Sequence, residues 1–190
     1  MVASFLFRGA QIAYSVKGKG RCIVLIHGFL GSKEIWNDYQ KRLSQKFKVI
    51  CIDLAGHGDS ECIGYVHNME LLAESVKVLL KHLNVRKAII AGHSLGGYVG
   101  LAFAEKYPDL VLGLMLINSS AKGDTTARKK SRDQLIELVK KDKSRALSLL
   151  IPTFFKIKKR KTTWHIKRYL RYAQKSSERG IIASIEGMKL

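Results

Sequence analysis

The chain has 190 residues, enough for one domain with a buried core. Its composition, 46% apolar and 26% charged, is that of a folded globular protein and excludes a disordered tail. No apolar run reaches the ~18 residues that a membrane-crossing helix needs, and the first residues lack the pattern of a secretory signal peptide. The net charge of +19 is unevenly placed: residues 119–190 hold 20 Lys and Arg against 6 Asp and Glu, whereas residues 1–118 hold 14 against 9. That step predicts a boundary near Asn118–Lys122, between a first unit, 1–118, and a basic second unit, 119–190. Three cysteines, Cys22, Cys51 and Cys62, are an odd number, and the first two lie in apolar runs. They read as reduced thiols, with a cytoplasmic location expected.

In chain order, residues 4–17 alternate, with Phe5, Phe7, Ile12 and Tyr14 set against polar neighbours around Gly9, which predicts an antiparallel hairpin at a sheet edge. The runs Cys22–Ile26, Val49–Ile52 and Ala88–Ala91 are almost unbroken, and Val111–Ile117 is interrupted only by Gly113. Runs without alternation suit parallel strands covered on both faces. Helical periods fall between them, at Ile35–Ser44, Met69–Leu83 and Leu95–Tyr107; the second puts Leu72, Val76, Leu79, Leu80 and Leu83 on one face behind an Asn68 N-cap. The predicted class is α/β, a doubly wound, mostly parallel sheet with an N-terminal antiparallel hairpin. After Ser119 only helical patterns occur, over 125–150, 162–175 and 178–189, and they predict a helical layer over one end of the sheet.

Three motifs stand where strands end. Gly92-His93-Ser94-Leu95-Gly96-Gly97 joins a strand to a helix, a context in which G-x-S-x-G forces a sharp turn and holds Ser94 at its tip as a candidate nucleophile. His27-Gly28-Phe29-Leu30-Gly31-Ser32 follows the strand Cys22–Ile26 and can aim a backbone N–H at a substrate oxygen. The expected oxyanion donors are the Phe29 and Leu95 amides. His27 and His93 neighbour turn glycines and read as braces of these loops, not as bases. Asp53-Leu54-Ala55-Gly56-His57-Gly58-Asp59-Ser60 reads as a loop shaping the pocket wall.

In this order the motifs resemble the α/β-hydrolase superfamily, in its capped serine esterase-like branch. The resemblance implies an acyl-enzyme at Ser94, makes 119–190 the cap, and requires neither cofactor nor metal. It also implies an acid and a histidine after two further strands. Neither is found by Leu190, so the reading expects a chain that stops before the last strands of the fold and is nearly inactive alone. The one histidine downstream of Ser94 is His165, and with Asp124 it forms an unfavoured alternative triad. The cationic run Lys156–Lys161, followed by Trp164, Tyr169 and Tyr172, reads first as a solvated cap face. Attraction to an anionic substrate, or to nucleic acid or a membrane surface, is the lesser reading, and no specific nucleic-acid partner is expected. The expected substrate is a small acyl compound, possibly anionic. A non-catalytic anion-binding protein, or a lyase or C–C hydrolase of the same superfamily, are the alternatives.

Overall fold

The computed structural model describes residues 3–155 and 160–190, with the side chains of 160–162 undescribed, so the cationic run 156–161 lies outside the described side chains. Strands β1 (Ala3–Phe7) and β2 (Ala10–Lys17) form the expected antiparallel hairpin. Its two-residue turn puts both Arg8 and Gly9 at positive φ, the geometry that matches the twist of paired strands. β3 (Cys22–Ile26), β4 (Lys48–Ile52), β5 (Ala88–His93) and β6 (Val111–Ile117) follow, in the order β1-β2-β4-β3-β5-β6. β2 meets β4 antiparallel, and the remaining pairings are parallel.

The strands alternate between two apolar layers. Val24, Ile26, Ile50, Ile52 and Ile90 face one side, and Ile23, Leu25, Val49, Cys51 and Ala91 face the other. Helices α2 (Met69–His82) and α3 (Leu95–Lys106) cover the first side with Leu72, Val76, Leu79, Val99 and Phe103. The other is covered by a 3-10 turn, Lys33–Trp36, and α1 (Asn37–Leu43), which contribute Trp36 and Leu43. Covering on both sides explains why these strands carry no polar alternation. β6 differs. It is an edge strand, with Leu112, Met115 and Leu116 all exposed.

Residues 119–190 form α4 (Thr126–Lys141), α5 (Lys143–Leu150), α6 (Arg160–Lys175) and α7 (Glu178–Met188). The span 125–150 is two helices instead of one pattern. Asp142 turns extended, and its side chain accepts from the Arg145 N–H at 2.9 Å, capping a new helix. Ile136, Val139, Ala146, Ile181 and Ile185 join the same apolar cluster as the sheet and α2–α3.

α7 reaches the sheet by backbone contact. A Cβ on Gly180 would stand 2.5 Å from the Gly56 carbonyl oxygen, in the loop after β4. The His67 N–H donates to the Ala183 carbonyl at 2.8 Å nearby. Gly→Ala inside a helix ordinarily stabilises by about 1 kcal/mol. For Gly180→Ala we expect the opposite sign, a loss of about 1–3 kcal/mol from overpacking against Gly56. Urea unfolding measures it, and a gain in stability contradicts this packing.

Candidate active site

Ser94 sits between β5 and α3 with φ 50° and ψ −116°, a conformation that L residues other than glycine rarely adopt. Its surroundings hold it there. The Ser94 N–H donates to the Ile117 carbonyl at 3.0 Å, and its own carbonyl accepts from the Gly97 N–H and the Ser119 hydroxyl, both at 2.8 Å. Two glycines make the turn sterically possible. A Cβ on Gly92 would overlap the Gly96 carbonyl, and one on Gly96 would overlap the Ile26 carbonyl across in β3. The backbone thus folds onto itself and onto the neighbouring strand, which leaves the Ser94 side chain on the outside of the bend.

The loop after β3 runs alongside. A Cβ on Gly28 would stand 3.1 Å from the Ser94 Cβ and 2.7 Å from His93 Nδ1, so only a bare backbone fits there. Among the described residues, no acceptor engages the amide of Phe29 or of Leu95. Ser94, Phe29, His93, Asn118, Phe154, Phe155 and Tyr169 line one hollow of about 360 Å³. The structure therefore brings together Ser94, Phe29, Leu95 and the glycines named from the sequence.

His27 is fully buried, and both ring nitrogens are used: Nδ1 donates to the Gly28 carbonyl at 2.8 Å, and Nε2 accepts from the Leu54 N–H at 2.9 Å. This pairing fixes the neutral tautomer and ties the loop after β3 to the loop after β4. Burial pushes the His27 pKa down to about 4. Burial, with His27 5.2 Å away, pushes His57 down to about 3. His93 is also lowered by burial, and its Nδ1 has no hydrogen-bond partner among the described residues.

A second brace is ionic. The buried Asp53 carboxylate accepts from the Lys33 N–H at 2.5 Å, Lys33 Nζ at 2.6 Å and the Asp59 N–H at 3.0 Å. Hydrogen bonding to Lys33 holds Asp59 below the ordinary carboxylate range. From α6, Lys175 reaches Glu34 at 2.9 Å and Asp59 at 3.3 Å, and the Tyr169 hydroxyl donates to the Phe29 carbonyl at 3.0 Å.

Asp124 and His165 are not brought to Ser94. Asp124 is paired with Arg132 and Arg128, beside a different hollow next to α3. His165 is exposed, edge-on to Trp164, in the hollow next to Tyr39. Among the described residues, no histidine hydrogen-bonds the Ser94 hydroxyl, and no group of three His, Cys, Asp or Glu side chains could hold a metal ion. Sequence reasoning missed Lys33, Ser119, Phe154 and Phe155. Ser119 carried a usable signal, since it lies two residues past the end of β6, the strand that pairs with β5.

The neutral histidines give stability a pH dependence. Unfolded histidines titrate near 6.5, whereas His27 and His57 stay neutral in the fold until about 4 and about 3. Between these values the unfolded chain binds more protons, so stability is full above ~6.5 and falls as the pH falls, by up to about 2.7 kcal/mol per pH unit for the two together. Urea unfolding between about pH 7.5 and about pH 5 checks this, and His57→Phe should reduce the slope.

Comparison with known proteins places this geometry. The family model described as alpha/beta hydrolase fold matches residues 21–146. An uncharacterised protein of Mycobacterium bovis is 37% identical over 111 residues, which cover 58% of this chain and 33% of that protein. A soluble epoxide hydrolase of Corynebacterium sp. is 34% identical over 113 residues, covering 60% of this chain and 40% of that protein. The chain thus spans about a third of the length of the first of these relatives. Among solved structures, a thermophilic esterase from Thermogutta terrifontis superposes with a TM-score of 0.87 at 29% identity, over 99% of this chain and 71% of the esterase. The matched sequence, the sheet order and the turn at Ser94 agree, and the chain belongs to the α/β-hydrolase family.

Proposed function

We propose that this protein is a serine hydrolase acting on a small carboxylic ester or related acyl compound. The observation that carries the reading is Ser94 itself. Its hydroxyl is presented from a strained strand-to-helix bend into a hollow of about 360 Å³, beside a loop whose backbone approaches within van der Waals contact. The Ser94 oxygen attacks the acyl carbon, its proton passes to a base, and the carbonyl oxygen becomes an oxyanion. The Phe29 and Leu95 N–H groups, which have no acceptor among the described residues, receive that charge. Each such donor is worth roughly 2.7–4 kcal/mol in the transition state. The leaving alkoxide departs protonated, and water then releases the acyl group from Ser94.

Residues 119–190 serve as the cap, supplying Phe154, Phe155 and Tyr169 to the hollow's walls. His27 and His57 are structural in this reading. Both are buried and neutral; His27 is bonded through both ring nitrogens and His57 through Nδ1 to the Ala55 carbonyl. The three free cysteines accord with a reducing, cytoplasmic setting, and no helix among the described residues is long and apolar enough to cross a membrane.

No base contacts Ser94 among the described residues, so this 190-residue chain reacts slowly by itself. That observation also favours one alternative, a non-catalytic binding protein on the same scaffold. A diffusible base separates the two. A fluorophosphonate probe should label Ser94 slowly, imidazole should speed the labelling at least tenfold, and Ser94→Ala should not be labelled. Equal labelling of Ser94→Ala contradicts the serine reading, and no labelling even with imidazole favours the binding protein.

A further inference from the structure

Two hollows share Phe155 and Tyr169 as walls. One contains Ser94. The other, of about 320 Å³, is also lined by Ile35, Tyr39, His165 and Arg168. The cations of α6 that face the rest of the fold are treated differently. Lys175 is neutralised by Glu34 and Asp59. Arg168 has no carboxylate partner among the described residues and is held by neutral groups. Its Nε donates to the Tyr172 hydroxyl at 2.6 Å, and one terminal nitrogen donates to the Glu34 carbonyl at 3.4 Å. The guanidinium carbon lies 5.2 Å from the Trp164 ring and 5.7 Å from the Tyr172 ring.

A half-buried guanidinium fixed by aromatic faces and uncharged acceptors keeps its full charge and remaining N–H donors, already oriented. Asp38, the acid that lines the same hollow, is exposed, and solvent screens it. The positive end is therefore the less screened one. Ile35 and Tyr39 offer apolar surface for a connecting chain.

We propose that this second hollow binds a carboxylate on the substrate, with Arg168 as its partner, while the substrate's ester lies at Ser94 on the other side of the Tyr169–Phe155 wall. The substrate class is thus an ester or related acyl compound that also carries a carboxylate. This deepens the serine-hydrolase reading and rests on it. Arg168 acts by binding and takes no part in the bond-making step.

The test compares phenylbutyrate with its neutral amide, phenylbutyramide, as ligands of the 190-residue chain, followed by tryptophan fluorescence because Trp164 lies against Arg168. A charge-assisted hydrogen bond predicts a preference for the acid of roughly tenfold or more. Arg168→Gln should abolish the preference, and Arg168→Lys should keep part of it, since a point charge lacks the planar fork. Equal affinity for acid and amide overturns the proposal, as does a preference that survives Arg168→Gln. Should Arg168→Gln fail to fold, a preference for the acid that is undiminished in Arg168→Lys overturns it instead. Fluorophosphonate labelling, run in parallel, keeps the two readings apart. Acid preference with no labelling sinks the hydrolase reading and leaves an anion site, whereas labelling with no preference sinks only the anion site.

Discussion

The bend at Ser94 is the constraint on which the rest of the molecule turns. A non-glycine residue at φ 50° and ψ −116° costs on the order of 1–3 kcal/mol, and such a conformation persists only where its surroundings over-determine it. Here β5, β6 and α3 do so together, through the Ile117 carbonyl, the Ser119 hydroxyl and the Gly97 amide. The apolar strands on both sides of the sheet offset the cost. Ile90, Val24 and Ile26 are essentially inaccessible, so β5 cannot relax its register to relieve the turn without opening the core. Rigid strands thereby fix the Ser94 side chain in a position that no regular element would present.

The second half of the site depends on keeping charge out of the interior except where it is matched. His27 and His57 lie side by side in the core, where two imidazolium ions would repel each other and lose their hydration. Kept neutral, His27 links two loops with one donor and one acceptor. The charge buried next to them, on Asp53, is met by an amide and an ammonium from Lys33 and by the Asp59 amide. Removing either partner from such an arrangement costs far more than the pair contributes as a whole. The loop that carries Phe29 is therefore pinned at both ends, by His27 before it and Lys33 after it. This explains how a segment without regular structure can hold its backbone against Ser94.

Most of the fold was legible in the sequence because it depends on period and punctuation. The buried strands announced themselves as unbroken apolar runs, and the hairpin, α2 and α3 followed from alternation, an Asn cap and a G-x-S-x-G turn. The fold's exceptions are places where a side chain competes with the backbone. Asp142 caps a new helix in the middle of a helical pattern, and Ser32 starts a 3-10 turn two residues ahead of the expected helix. In the site, Ser94 and the Phe29 loop were readable because glycine spacing marks tight backbone approach. Lys33, Phe154 and Phe155 were not, since their partners stand twenty or more residues away or on a helical layer whose docking no local pattern encodes. The Asp124–His165 pairing fails for the same reason. Asp124, just ahead of α4, finds Arg132 eight residues on in that helix, a local ion pair that competes with any distant histidine.

In the proposed reading, chemistry and ligand selection fall on different stretches of chain. The turn at Ser94 and the Phe29 loop belong to residues 1–118 and are fixed by strand registers and buried hydrogen bonds. The walls that would sort ligands, Phe154, Phe155 and Tyr169, belong to 119–190 and are held by fewer constraints. These include the Gly56–Gly180 backbone contact, the His67–Ala183 hydrogen bond, the Tyr169 hydroxyl on the Phe29 carbonyl, and the Lys175 ion pairs, which are half-exposed and individually weak. Tyr169 is the piece common to both. Its hydroxyl is tied to the carbonyl of Phe29, which lines the Ser94 hollow, and its ring lines both that hollow and the one beside Arg168. A ligand that pushes Tyr169 aside must break the bond to Phe29, so this wall is mechanically coupled to the backbone beside Ser94.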